Sequence, residues 1–182
     1  MLVSFTGAQS SGKTTLLNRC VDDDRFSEFE FVNEVTRQVQ RMYDVDINET
    51  GSDDTQILIT FQHFLNNMKH GQSKTDTLMD RCIVDGWIYS GYLHDHGRIT
   101  DNTLCIVRTM YDAISSNLDV VLYTDPHEVD IHHDGVRSTD VSFRDDIILR
   151  YDNWLDETQL NVVHLKGDVD ERFNIITAQL NL

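Results

Sequence analysis

Eight residues near the N-terminus restrict the fold of this chain more than any other feature. Gly7-Ala8-Gln9-Ser10-Ser11-Gly12-Lys13-Thr14 fits the pattern G-x-x-x-x-G-K-[ST] at each defined position. The apolar run LVSFT precedes it, and residues 13–21 supply good helix formers after it. A strand, a glycine turn and a helix in that order point the loop N–H groups inward at the positive end of the helix, which makes a seat for phosphate oxygens. Gly7 and Gly12 provide the backbone freedom, and Gln9, Ser10 and Ser11 complete the loop. Lys13 is placed to reach β- and γ-phosphates, and the Thr14 hydroxyl to hold Mg²⁺. Thr15 reads first as a helix residue and is carried with the nucleotide-binding set by adjacency. The ligand implied is a nucleoside triphosphate.

The rest of the chain alternates short apolar runs with helical patterns. Strands are expected at residues 29–32, 118–123 and 161–165, and a third strand at Cys82-Ile83-Val84, ended by Asp85-Gly86. Helices are expected around Val35, Val39 and Met42, over residues 53–70, from Trp87, and over 103–115, 143–158 and 168–180. In the helix over 53–70 the apolar face is expected to carry Ile57, Leu58, Phe61, Phe64, Leu65 and Met68, with Ser52 or Asp53 as N-cap. The strands are apolar on both faces, as in a parallel sheet covered by helices on both sides. With no repeat, linker or low-complexity tract, residues 1–182 read as one α/β domain of three layers, α/β/α, around five strands.

Composition narrows the partners. Fifteen Lys and Arg stand against 31 Asp and Glu, a formal charge of −16, which disfavours bulk binding of DNA or RNA. No run approaches the roughly 20 apolar residues of a membrane span, and the N-terminus has no basic and apolar leader, so a cytoplasmic protein is expected. Cys20, Cys82 and Cys105 are odd in number and widely spaced, which reads as reduced, buried thiols. His127, His132 and His133 with Asp130 and Asp134 lack a spacing that would gather them around zinc.

Three further segments bear on what happens to the triphosphate. A hydrolytic motor of the AAA+ type usually ends a strand in Asp-Glu, and here Asp85 is followed by Gly86; a GTPase would need Asn-Lys-x-Asp, which the sequence lacks. Between the strand ending near Pro126 and the helix beginning near residue 143, the segment DGVRSTDVSFR carries Arg137 and Arg144. A phosphoryl group in transfer spreads negative charge over its oxygens, and arginines that close over it neutralise that charge. Residues 126–144 are therefore read as a lid. Glu34 and Arg37 lie three apart after the second strand, at the sheet edge where α/β ligands sit; a carboxylate there can accept a hydroxyl proton and an arginine can grip a phosphate.

In this order of motifs the chain resembles the P-loop nucleoside and nucleotide kinase superfamily, which includes thymidylate kinase, deoxynucleoside kinases and nicotinamide riboside kinase. The likeness runs through the phosphate loop, Glu34-x-x-Arg37, a strand ending at Asp85, the arginine lid and the closing segment VHLKGDVDER. It implies the strand order 2-3-1-4-5, ATP with Mg²⁺ as donor, and a small nucleotide or nucleoside as partner. It also implies Thr14 with Asp85 around Mg²⁺, Arg137 and Arg144 on the transferred group, and Gly167 in a turn against the adenine. Asp85-Gly86-Trp87-Ile88-Tyr89-Ser90 is similar to the Asp-Arg-Tyr-x-x-Ser segment of thymidylate kinases, with Gly86 in place of the arginine. Trp87, Tyr89 and Tyr92 are candidates to stack on an acceptor base. The preferred acceptor is a (deoxy)nucleoside monophosphate gripped by Arg37 with Arg41 or a lid arginine. The alternatives are a hydroxyl on a nucleoside or on a modified base, including within DNA, with Glu34 or Asp85 as base, and a regulatory NTP-binding module without transfer. The oligomeric state is left open, a homodimer among the options.

Overall fold

In the computed structural model, residues 1–33, 35–126 and 141–182 are described. The strands are β1 (Leu2–Thr6), β2 (Glu30–Val32), β3 (Thr77–Asp80), β4 (Val120–Thr124) and β5 (Val162–Leu165). They form one sheet in the order β2-β3-β1-β4-β5, with every pairing parallel. The helices are α1 (Lys13–Val21), α2 (Val35–Tyr43), α3 (Asp53–Gly71), α4 (Ile83–Asp95), α5 (Asp101–Ile114), α6 (Val141–Glu157) and α7 (Val169–Leu180). Five strands, helices on both faces and the 2-3-1-4-5 order agree with the sequence reading.

The alternation along β1 explains the layers. Val3 and Phe5 point to one face, where Leu16, Leu17 and Cys20 of α1 and Phe173, Ile176 and Leu180 of α7 close over them. Leu2 points to the other, into a second core built with Ile83, Ile88 and Leu93 of α4 and Phe143, Ile147 and Tyr151 of α6. Burying both faces leaves the carboxyl ends of the central strands as the place where loops can meet a ligand.

Three expectations are corrected. The third strand is Thr77–Asp80, not Cys82-Ile83-Val84. It pairs with β1 from Leu2↔Thr77 to Phe5↔Asp80, and Arg81, at φ +76°, turns the chain out of the sheet. Ile83 and Val84 then open α4 and are fully buried from its first turn. The expected apolar face of α3 is also displaced. Ser52 caps the helix as anticipated, but the buried side carries Gln56, Ile59, Thr60, His63, Asn67 and His70, and Phe61 and Met68 are exposed. Hydrogen bonds decide that orientation: Gln56 Nε2 donates to the Gly86 carbonyl at 3.1 Å and to Ser90 Oγ at 2.8 Å, and Asn67 Oδ1 accepts from the Ile83 N–H at 3.3 Å. Finally, Cys20 and Cys82 are buried as expected, whereas Cys105 is exposed on α5. Among the described residues no helix is long and apolar enough to cross a membrane.

Candidate nucleotide site and acceptor cleft

The phosphate loop is held at both ends by backbone that tolerates no side chain. Gly7 has φ +138°, and a Cβ there would lie 2.7 Å from Thr124 Oγ1 and 2.9 Å from the Thr124 carbonyl, at the end of β4. Gly12 has φ +92° and stands immediately before α1. Between them, Ser11 Oγ and Thr124 Oγ1 are 2.6 Å apart, and Thr124 Oγ1 donates to the Thr6 carbonyl at 3.0 Å. The first turn of α1 has no acidic residue and no side-chain cap, so its N–H groups and dipole remain available to an anion. Lys13 is buried, and its ammonium donates to the carbonyls of Gly7 at 2.9 Å and Ala8 at 2.6 Å and to Ser11 Oγ at 3.1 Å. The loop thus already has the curvature of a phosphate cradle.

Asp80 takes the position expected of Asp85. Thr14 Oγ1 donates to Asp80 Oδ2 at 2.9 Å, and Asp80 is buried at the end of β3. A hydroxyl and a carboxylate side by side are hard oxygen donors, a set that suits Mg²⁺ when substrate phosphates and water supply its other ligands. No group of three or more His, Cys, Asp or Glu able to hold a metal by itself occurs among the described residues. The zinc candidates between His127 and Asp134 lie outside them, as do Glu34 and Arg137.

Asp85 is instead a fully engaged carboxylate behind the site. Its Oδ1 accepts from Arg81 at 2.7 Å and from the Tyr151 hydroxyl at 3.0 Å; its Oδ2 accepts from Thr6 Oγ1 at 2.9 Å and from the Cys82 N–H at 3.1 Å. Four donors on one buried carboxylate leave it poorly placed to act as a base or to ligate a metal. Burial and the Asp85 charge hold the Tyr151 phenol well above its ordinary range, so Tyr151 stays a neutral donor. An adjacent aspartate–arginine pair does occur at the end of the observed third strand, as Asp80-Arg81.

Beside the loop, Thr36 of α2, Gln56 and His63 of α3, and Arg81, Asp85 and Tyr89 line a cleft. Its wall joins the phosphate loop directly: the Tyr89 hydroxyl donates to Gln9 Oε1 at 3.2 Å, and the Arg81 guanidinium lies 5.3 Å from the Tyr89 ring centroid. Tyr89 therefore faces the cleft, as read from the sequence. Trp87 does not; it packs 6.0 Å from Tyr111 in a separate groove with Trp154, under Arg108. Arg37 is half-buried next to Thr36, and Arg41 is exposed toward the far end of α2, outside the cleft lining. Thr15 is exposed. Arg144, at the start of α6, donates to the Pro126 carbonyl at 2.7 Å, beside the end of β4.

Arg172 links the phosphate loop to the end of β4 and the turn before α7. Arg172 of α7 is 2% exposed, and its guanidinium donates to the carbonyls of Gly167 at 2.7 Å, Ser11 at 2.9 Å and Asp125 at 3.0 Å. Gly167, at φ +91°, makes the turn into α7, where Asp168 and Glu171 form a reciprocal cap.

A family model described as an AAA domain matches residues 2–172. The chain belongs to this AAA domain family, AAA_28. No curated protein matches its sequence. Among solved structures, the deoxyadenosine kinase of M. mycoides, with dCMP and dCDP bound, superposes with a TM-score of 0.74 at 14% identity, covering 100% of this chain and 99% of that one. The NadR protein in complex with NR also superposes at 0.74, with 16% identity, over 100% of this chain and 50% of the other. The fold of this AAA domain is that of the P-loop nucleoside and nucleotide kinases. The glutamate that a hydrolytic motor carries after the strand-end aspartate is absent in the corrected register as well, since Asp80 is followed by Arg81.

Proposed function

We propose that this protein transfers the γ-phosphate of ATP to a hydroxyl of a nucleoside-type acceptor. The observation that carries the choice of acceptor is the Arg81–Asp85 pair. A monophosphate brings up to two negative charges into its site and needs surplus cation to offset desolvation. The arginine that lines this cleft already has a carboxylate at 2.7 Å, with side chains only 10% and 3% exposed. Thr36, Gln56 and Tyr89 offer neutral hydrogen bonds and a ring face, which suit a sugar and a base. Support for a kinase comes from a fold shared with a deoxyadenosine kinase and with a protein that binds NR.

In this reading Lys13 and the N-terminal turn of α1 bind the triphosphate; Thr14 and Asp80 would hold Mg²⁺, which would supply charge neutralisation to the phosphates. The acceptor oxygen forms a bond to the γ-phosphorus as the bond to the β,γ-bridging oxygen breaks and ADP departs. Glu34, two positions before the cleft-lining Thr36, takes the hydroxyl proton. Arg137 and Arg144 neutralise charge on the group in transfer. Asp85 keeps Arg81 oriented and charged.

Labelled ATP·Mg²⁺ incubated with nucleosides, nucleoside monophosphates and short DNA tests this. Label is expected on one or more nucleosides. Label on monophosphates alone would overturn the hydroxyl assignment, and label on no acceptor despite ATP binding would overturn transfer altogether.

A further inference from the structure

Two adjacent side chains of the phosphate loop bury hydrogen-bonding atoms that have no partner among the described residues: Gln9 Nε2 and Ser10 Oγ. Their residues are 4% and 5% exposed. A buried amide donor left unsatisfied carries its full desolvation penalty, and each such group in a native structure calls for an explanation such as a ligand that completes it. Ser10 sits at φ +58°, in the left-handed region that non-glycine residues rarely adopt, so the crest of the loop is strained as well as unsatisfied.

Gln9 is set apart by what holds it. Its Oε1 accepts from the Tyr89 hydroxyl at 3.2 Å, which leaves the amide nitrogen as the unsatisfied end. Tyr89 lines the acceptor cleft, lies under the Arg81 guanidinium and meets Phe143 of α6 edge-on at 5.9 Å. Arg81 also reaches back to the Gly7 carbonyl at 3.5 Å. The Gln9 amide is therefore fixed at the seam between the loop that seats the donor and the cleft that seats the acceptor. In a transfer reaction that seam is where negative charge moves from one substrate to the other.

We propose that Gln9 is a catalytic residue whose Nε2 donates a hydrogen bond to the phosphoryl group in transfer, with Tyr89 as the positioning residue that aims it. The assignment rests on the phosphotransfer reading above and goes beyond it, because backbone N–H groups and Lys13 suffice to bind a triphosphate, whereas a donor tied to the acceptor wall acts on the group in passage. A fixed donor that strengthens its bond as charge develops contributes about 100-fold or more to the rate.

The test is a kinetic and binding comparison of Gln9→Leu, Gln9→Asn and Tyr89→Phe with the parent protein, using the nucleoside that the parent phosphorylates best. For Gln9→Leu, kcat is expected to fall about 100-fold while ATP·Mg²⁺ affinity and acceptor KM stay within about threefold. Binding of ADP with aluminium fluoride, which mimics the group in transfer, is expected to weaken in parallel with kcat. Tyr89→Phe, which keeps the ring and the loop, is expected to lose about 10-fold in kcat, and Gln9→Asn to lie between the two. Unchanged kcat in Gln9→Leu would overturn the proposal, as would a kcat loss matched by an equal loss of ATP affinity. If Gln9→Leu fails to fold, Tyr89→Phe decides: parental kcat and parental aluminium fluoride affinity overturn it. A parent protein that phosphorylates no nucleoside refutes the broader reading instead, so the two failures are distinguishable.

Discussion

Replacing Arg172 by methionine removes three hydrogen bonds at once from a side chain that is 2% exposed. Each bond to a charged group contributes about 1.5–3 kcal/mol, so the gross loss is about 5–9 kcal/mol. Against that, the variant no longer desolvates a guanidinium, which returns several kcal/mol. A net loss of about 3 kcal/mol remains, and for a chain of this size it lowers Tm by about 6–12 °C. The partners add a functional consequence. Ser11 belongs to the phosphate loop and Gly167 to the turn before α7, so losing the guanidinium unlinks the two segments that flank the donor site. ATP·Mg²⁺ affinity is expected to fall about tenfold, a coupling of about 1.4 kcal/mol. Arg172→Lys keeps the charge but not the fork, so it retains one contact of three and recovers about a third of each loss. Differential scanning calorimetry and titration calorimetry with ATP·Mg²⁺ measure both. A methionine variant with Tm within about 2 °C of the parent and unchanged ATP affinity would refute the claim that this buried cation organises the site.

Asp80 at the end of β3 and Asp85 in the first turn of α4 are expected to separate in assays. Asp80→Asn should leave Tm near the parent value but raise the Mg²⁺ concentration required for activity about tenfold or more, whereas Asp85→Asn strands a buried guanidinium and should cost about 3–5 kcal/mol of stability. Thiol titration of the native protein at pH 8 should detect Cys105 rapidly and the other two only after denaturation, because burial pushes the Cys20 and Cys82 thiols up to about 12. Burial lowers the His70 pKa below its ordinary 6.5, so the unfolded chain takes up that proton first as the pH falls. Stability should therefore decline between pH 6.5 and the lowered folded value, and His70→Gln should flatten that part of a Tm–pH profile. His94, raised by hydrogen bonds to Asp101 and Asp95, acts the other way, its contribution fading above pH 6.5.

The parts of the site legible in the sequence are those whose geometry is local. The phosphate loop is eight consecutive residues whose conformation follows from two glycines between a strand and a helix, so its seat could be read directly. Asp80 escaped because Thr77-Leu78-Met79 carries one β-branched residue and Cys82-Ile83-Val84 carries two, and a three-residue apolar run does not distinguish a strand from the buried start of a helix. The available signal was the adjacent aspartate–arginine pair, Asp80-Arg81. Arg172 meets Ser11 across 161 positions and Tyr89 meets Gln9 across 80, contacts that no local pattern encodes. The face of α3 departs from its sequence pattern for a related reason: an apolar stripe is present, but Gln56, donating to Gly86 and Ser90, and Asn67, accepting from the Ile83 N–H, turn a polar stripe inward.

The chain carries 31 acidic residues, yet among the described ones the carboxylates that are buried are those of Asp80 and Asp85. Burying a carboxylate is costly without partners, so two within six residues call for a reason. Their partners supply it. Asp80 faces Thr14 on the donor side, and Asp85 faces Arg81 on the acceptor side. Between the end of β3 and the start of α4 lie Arg81, at φ +76°, and Cys82, whose N–H donates to Asp85. One short junction between β3 and α4 therefore fixes the carboxylate beside Thr14 and the ion pair of the cleft relative to each other. A transferase needs its two substrates held at a set separation. In the phosphotransfer reading proposed above, the second half of that junction is what orients the acceptor wall relative to the phosphate loop.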